Sequence, residues 1–136
     1  MKELSEHEGD MMQAIQAVVN SEIQDAEAAV RKALGDRGFG VLTEIDVAAT
    51  LKEKIGVDRA PMKILGACNP LLAHKALESD PDLALVLPCN VVLEQVDGNR
   101  TVVKAVDPHS LISGEGLEAL ADEAASKLTE ALASLQ

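Results

Sequence analysis

Val91–Val96 and Thr101–Val106 are two valine-rich runs separated by Asp97-Gly98-Asn99. Asp, Gly and Asn tolerate the backbone that a tight turn needs, and branched flanking residues suit a pleated surface. The spacing predicts a β-hairpin. A hairpin makes its two strands antiparallel, which excludes an all-parallel, doubly wound sheet. Both faces of the hairpin are apolar. Val91 and Leu93 lie on one face, with Val92 and Val96 on the other; Val103 and Ala105 oppose Val102 and Val106 in the same way. A sheet with one wet face alternates apolar and polar residues. Helices are therefore expected over one face and a second subunit over the other, which predicts a homodimer.

The rest of the chain supplies the helices. Ser21–Leu34 reads as a helix, with capping-box spacing at Ser21-x-x-Gln24 and Arg31 and Lys32 late in the run. Gly35 is expected to close it. A strand follows from Gly38-Phe39-Gly40 to Ile45, then a short helix capped by Asp46 and ended by Gly56. Met62–Ala67 is expected as a strand and Pro70–Leu77 as a helix, with Asn69 as N-cap and Pro70 at the first helical position. The continuous apolar run Leu83–Leu87 reads as a buried strand, interrupted by Pro88. Glu115–Leu135 carries leucines and alanines at helical spacing and charges on the opposite face, so a long C-terminal helix is expected. Met12–Val19 fits both periodicities and is read as a strand. Residues 1–11 read as an acidic leader, and 12–136 as one α+β domain with a mixed, largely antiparallel sheet packed against helices.

Composition narrows the function classes. Twelve basic against twenty-three acidic residues give a net charge of −11, a field that repels nucleic-acid phosphates and anionic lipids. One Phe with no Trp or Tyr leaves little for stacking bases. No apolar run approaches the roughly 18 residues that span a bilayer. The N-terminus lacks a signal peptide's basic and apolar regions, so the expectation is a cytoplasmic protein with two reduced cysteines. Gly38-x-Gly40 lacks the third glycine of a dinucleotide fingerprint, and no Walker motif or Gly-x-Ser-x-Gly elbow occurs. Nothing names a cofactor or a reaction.

Two short runs remain. Leu65–Pro70 reads Leu-Gly-Ala-Cys-Asn-Pro, and Leu87–Asn90 reads Leu-Pro-Cys-Asn. They hold both cysteines, each followed by asparagine. Cys68 stands just before a helix N-terminus, where the partial positive charge favours a thiolate. Cys89 follows a proline at a strand break. If the strands bearing them are neighbours, the runs meet. Three arrangements compete. The cysteines are buried core residues; or Cys68, Asn69, Pro70, Pro88, Cys89 and Asn90 line a pocket for a polar or anionic small molecule; or Cys68 and Cys89, assisted by His74, run thiol chemistry or hold a soft metal. Against the last, zinc-type paired-ligand spacing is missing. His109 and His7 read as loop and leader residues.

The blocks Gly38–Val47, Ile64–Pro70 with Ala73-His74, Leu87–Val92 and Asp107-Pro108 occur in an order that resembles domain-of-unknown-function family 302. The resemblance covers about Ser21 to Leu135. It implies a compact α+β fold that tends to dimerise, opens with a strand, and has no established activity. Binding rather than turnover is the first expectation. A thiol-dependent redox or metal-handling protein and a structural, partner-binding module are the alternatives.

Overall fold

The structure is a computed structural model that describes residues 14–136. The acidic leader expected over residues 1–11 lies outside the described residues. The elements are β1 (Ala14–Val19), α1 (Ile23–Gly35), β2 (Gly40–Asp46), α2 (Val47–Ile55), β3 (Met62–Cys68), α3 (Pro70–Ser79), β4 (Cys89–Asp97), β5 (Arg100–Val106) and α4 (Glu118–Ala133). The five strands form one sheet in the order β1-β5-β4-β3-β2, and every neighbouring pair is antiparallel. The expected α+β fold is present, with no parallel pair in the sheet. The hairpin forms where expected, with Asn99 N–H donating to the Asp97 carboxylate at 3.0 Å across the turn.

Side-chain parity divides the sheet. Leu65, Ala67, Val91, Leu93, Val103 and Ala105 face one side and are buried. Val30 and Leu34 of α1 and Leu128 and Leu132 of α4 pack onto them. With no aromatic in this layer but Phe39, the core is a close-packed aliphatic one. A smaller cluster joins Ala76 of α3 to Leu83, Ile112, Leu117 and Ala121. Helix α2 buries no side chain. The opposite face has no comparable helical cover. Met62, Ile64, Val92 and Val102 are half-buried there, and Val18 and Ile45 are exposed.

Local capping follows the sequence in two places and departs in a third. Asp46 accepts from Ala49 N–H at 2.9 Å at the start of α2, and Gly56 ends that helix in the left-handed region. Asn69 accepts from Leu72 N–H at 3.3 Å, with Pro70 following. The capping box at Ser21 does not form. Glu22 is the N-cap of α1 without a side-chain bond, and Ile23 N–H instead donates to Gln95 of β4 at 3.0 Å. Gly35 stays within the helix and Gly38 takes the left-handed turn. A tertiary partner thus replaces the local one.

Leu83–Leu87 is not a strand. Pro81–Val86 forms a 3-10 helix, its first turn capped by Asp80, which accepts from Asp82 N–H at 3.0 Å. β3 and β4, the strands this run connects to, are each paired on both sides, so neither offers it an edge. Instead Leu83 and Val86, three residues apart, turn towards the smaller cluster. Leu85 points outward and is 87% exposed. Pro88 follows a cis peptide bond at the entrance to β4.

Candidate functional site

The two cysteine-asparagine runs meet. β3 and β4 are neighbours, with Gly66 opposite Asn90 and Ala67 opposite Cys89. The sheet then separates their side chains between its two faces. Cys68, Asn69 and Cys89 line a narrow apolar cavity of about 30 Å³ on the helical side, closed by Phe39, Leu72 and Ala124. That volume is on the scale of a water or two, far below the roughly 300 Å³ at which small-molecule pockets begin. Pro88 and Asn90 line a much larger cavity, of about 600 Å³, on the open side. Pro70 borders neither cavity; it occupies the first turn of α3.

Burial works against activation of the thiols. Both cysteines are free. Burial pushes the Cys68 thiol above its ordinary value. Burial also raises Cys89, and the neighbouring Cys68 adds to the effect. At the helix N-terminus after Cys68 the Leu72 N–H is taken by the Asn69 side chain. His74 does not line the cavity that the cysteines share. Its side chain is 73% exposed and lies 3.5 Å from Glu78. Among the described residues no three His, Cys, Asp or Glu side chains converge as a metal ion requires.

The larger cavity is built on the open face of β3, β4 and β5. Its floor is Met62, Val92 and Val106, and its wall is the segment Leu85–Pro88, with Leu111 opposite. Gly66 makes the wall possible. A Cβ there would lie 2.1 Å from Thr43 Oγ1 and 2.8 Å from Pro88 Cγ, so a bare backbone lets the proline ring settle against the sheet. The polar groups in the lining are Asn90, Glu94 and Lys104. Glu94 is engaged by Arg59. Lys104 stands opposite Val92 and forms no ion pair among the described residues. Sequence reasoning missed it, although a lone charge between Val102 and Val106 marked the position.

Elsewhere, charges do structural work. Lys63 of β3 donates to Glu27 of α1 at 2.9 Å and to Glu44 of β2 at 3.2 Å, and Arg31 joins both carboxylates. Burial alone would raise Glu27, but hydrogen bonds from Lys63 and Arg31 outweigh it and hold the carboxyl below its ordinary value. Glu44 is thereby committed to the sheet edge, as Asp46 is to the α2 cap.

His109 sits in the loop between β5 and α4. Its Nδ1 lies 2.7 Å from Asp107 and its Nε2 2.6 Å from Asp122. Ionised carboxylates only accept, so making both bonds at once takes two donating nitrogens, the imidazolium form of the ring. The hydrogen bonds to Asp122 and Asp107 raise its pKa above the ordinary value against an opposing desolvation. The folded value lies above the unfolded one of about 6.5. The bridge therefore contributes stability in full below about pH 6.5 and loses it as pH rises through the folded value. Urea titrations across pH 5.5–8.5 should show this loss in the parent and not in His109→Gln. Parallel curves for the two proteins would mean the bridge does not form in solution.

A five-stranded antiparallel sheet with helices on one face and a cavity on the other defines an α+β domain. No helix among the described residues is long and apolar enough to cross a membrane. The chain belongs to the family described as domain of unknown function DUF302, whose model matches residues 15–135. A crystal structure of an uncharacterised conserved DUF302 protein from Bacillus stearothermophilus is similar to it. The TM-score is 0.83 at 26% identity, over 90% of this chain and 98% of that one. The comparison with curated proteins returns no match.

Proposed function

We propose that this is a homodimeric small-molecule-binding domain whose ligand lies in the cavity on the open face of the sheet. The observation that carries this reading is the cavity itself: about 600 Å³ with an apolar floor and few polar groups, the usual make-up of a small-molecule site. The cavity is open to the side that the helices leave bare. A second copy laid across Val18, Ile45 and Ile64 would roof it and bury apolar surface that is otherwise wet. Light scattering at tens of micromolar protein is expected to return twice the chain mass. A monomer mass would remove the dimer from the reading.

Nile red, a neutral apolar dye, tests the cavity. Its fluorescence should rise saturably with the protein. Val92→Glu, in the floor, should abolish the rise. Leu71→Glu, at an exposed apolar side chain of α3, should leave it intact. If both variants behave alike, the dye is reporting general surface and not this cavity. Asn90→Ala should weaken dye binding, whereas Asn69→Ala should lower stability by about 1 kcal/mol through its cap alone.

Thiol chemistry is the second reading, favoured by the shared cavity of Cys68 and Cys89. It stands behind binding because a reactive cysteine needs a lowered pKa and solvent access, and both thiols are raised. Iodoacetamide at pH 7.5 should modify the folded protein slowly, Cys68 before the more buried Cys89. Alkylation of either at the rate of a free thiol would put the thiol reading first.

A further inference from the structure

We propose that the ligand of the open-face cavity is an aliphatic carboxylate, its chain on the Met62–Val92–Val106 floor and its carboxylate on Lys104. The proposal rests on the cavity reading above and adds the ligand's charge and shape. Three observations support it. First, the cavity's lining is aliphatic: Leu87 and Leu111 join Val92 and Val106, Leu85 stands at the rim, and no aromatic ring lines it. Such a lining matches a flexible hydrocarbon chain and offers no stacking surface to a planar ring. Second, the charge left over in the lining is positive. Glu94 is matched by Arg59, and Lys104 is not matched by any described carboxylate. In a protein of net charge −11 a lysine has many acidic residues available, yet the carboxylate in this lining, Glu94, is held by Arg59 rather than by Lys104. The wider negative field is screened within about 8 Å at physiological salt, so the nearby amine dominates.

Third, the register sets a second donor near the first. Val92 is opposite Lys104, and Asn90 lies two residues before Val92 on the same face of β4. Diagonal positions of this kind are about 7–8 Å apart at their Cα atoms, within reach of a lysine and an asparagine that converge on one group. The lysine amine and the asparagine amide can each donate to one carboxylate oxygen. The ammonium partner makes that contact charge-assisted, the stronger kind of hydrogen bond.

Octanoate, 1-octanol and octylammonium are probes of one chain length with negative, neutral and positive heads. Calorimetric titration of the full chain should show octanoate binding about tenfold more tightly than octanol, the gap expected of one charge-assisted hydrogen bond. Octylammonium should bind weakest. The octanoate advantage should shrink as salt is raised. Lys104→Met, which keeps the apolar stem, should bring octanoate down to octanol and leave octanol unchanged. Lys104 is exposed, so the variant should fold. Equal binding of the three probes to the parent, or an octanoate preference that survives in Lys104→Met, overturns the carboxylate proposal while the cavity reading stands. If none of the probes binds, both fall together.

Discussion

Gly66→Ala is expected to lower the unfolding free energy by about 3 kcal/mol, the upper part of the range for overpacking a closed site. Adding one methyl to an exposed strand glycine ordinarily stabilises, because it removes freedom from the unfolded chain. Here the methyl has nowhere to go. Its carbon would meet Thr43 Oγ1 at 2.1 Å and Pro88 Cγ at 2.8 Å. Thr43 belongs to β2 and Pro88 to the entrance of β4, so the glycine is pressed from both neighbouring strands at once. Relief must come from moving β2 outward or lifting the proline ring. Thr43→Ala removes the closer contact and leaves an ordinary one to its Cβ, now 3.5 Å away. The double variant should therefore recover part of the loss, with the Pro88 contact holding back the rest. Because Pro88 also walls the large cavity, Gly66→Ala should weaken dye binding more than its stability cost alone explains. A Gly66→Ala protein with an unchanged urea midpoint would show that the three strands are not this close.

Leu93→Ala should cost about 3–4 kcal/mol, within the range for a leucine removed from a core that cannot collapse. Leu93 lies on the central strand with no exposed surface, sealed by α1 and α4. Its chain neighbour Val92 points the other way, is half-buried, and should cost about 1 kcal/mol or less on truncation. Equilibrium urea unfolding of the pair at one low protein concentration is the check. Equal costs would mean that the open face is as dry as the core. If the cost of Val92→Ala then grew with protein concentration, a second copy would be identified as the cover.

Much of this fold was readable because local and global signals agree. Asp46, Asn69-Pro70 and Asp97-Gly98-Asn99 do in the structure what their chemistry suggests, since each closes a turn or cap within a few residues of itself. Periodicity alone likewise placed α4 and the hairpin strands. The misread places share one cause, a partner distant in sequence. Ser21 has capping-box spacing, but Gln95 arrives from β4 to satisfy the helix start. Leu83–Leu87 is apolar enough for a strand, but the strands next to it in the chain, β3 and β4, lie inside the sheet with both sides paired. The site suffered in the same way. Adjacency of the two cysteine runs depended on strand order. Their division between two faces depended on register, and one step of register moves a side chain through the sheet. Cys68 looked activated from its place before a helix, whereas burial set its direction. Lys104 drew no attention because its significance lies in what surrounds it in space.

The alternation along β4 and β5 has a consequence for how such a protein diverges. Positions 91, 93, 103 and 105 face the aliphatic core, and positions 90, 92, 104 and 106 face the cavity. The two sets interleave residue by residue yet share almost no neighbours, so substitutions in one are expected to be nearly independent of substitutions in the other. One lineage could exchange Lys104 or Asn90 for another polar group and acquire a new ligand while its melting behaviour hardly moved. On the proposed binding reading, relatives with this sheet need not share a ligand, and what each one binds should be sought in its even-numbered equivalents along these two strands.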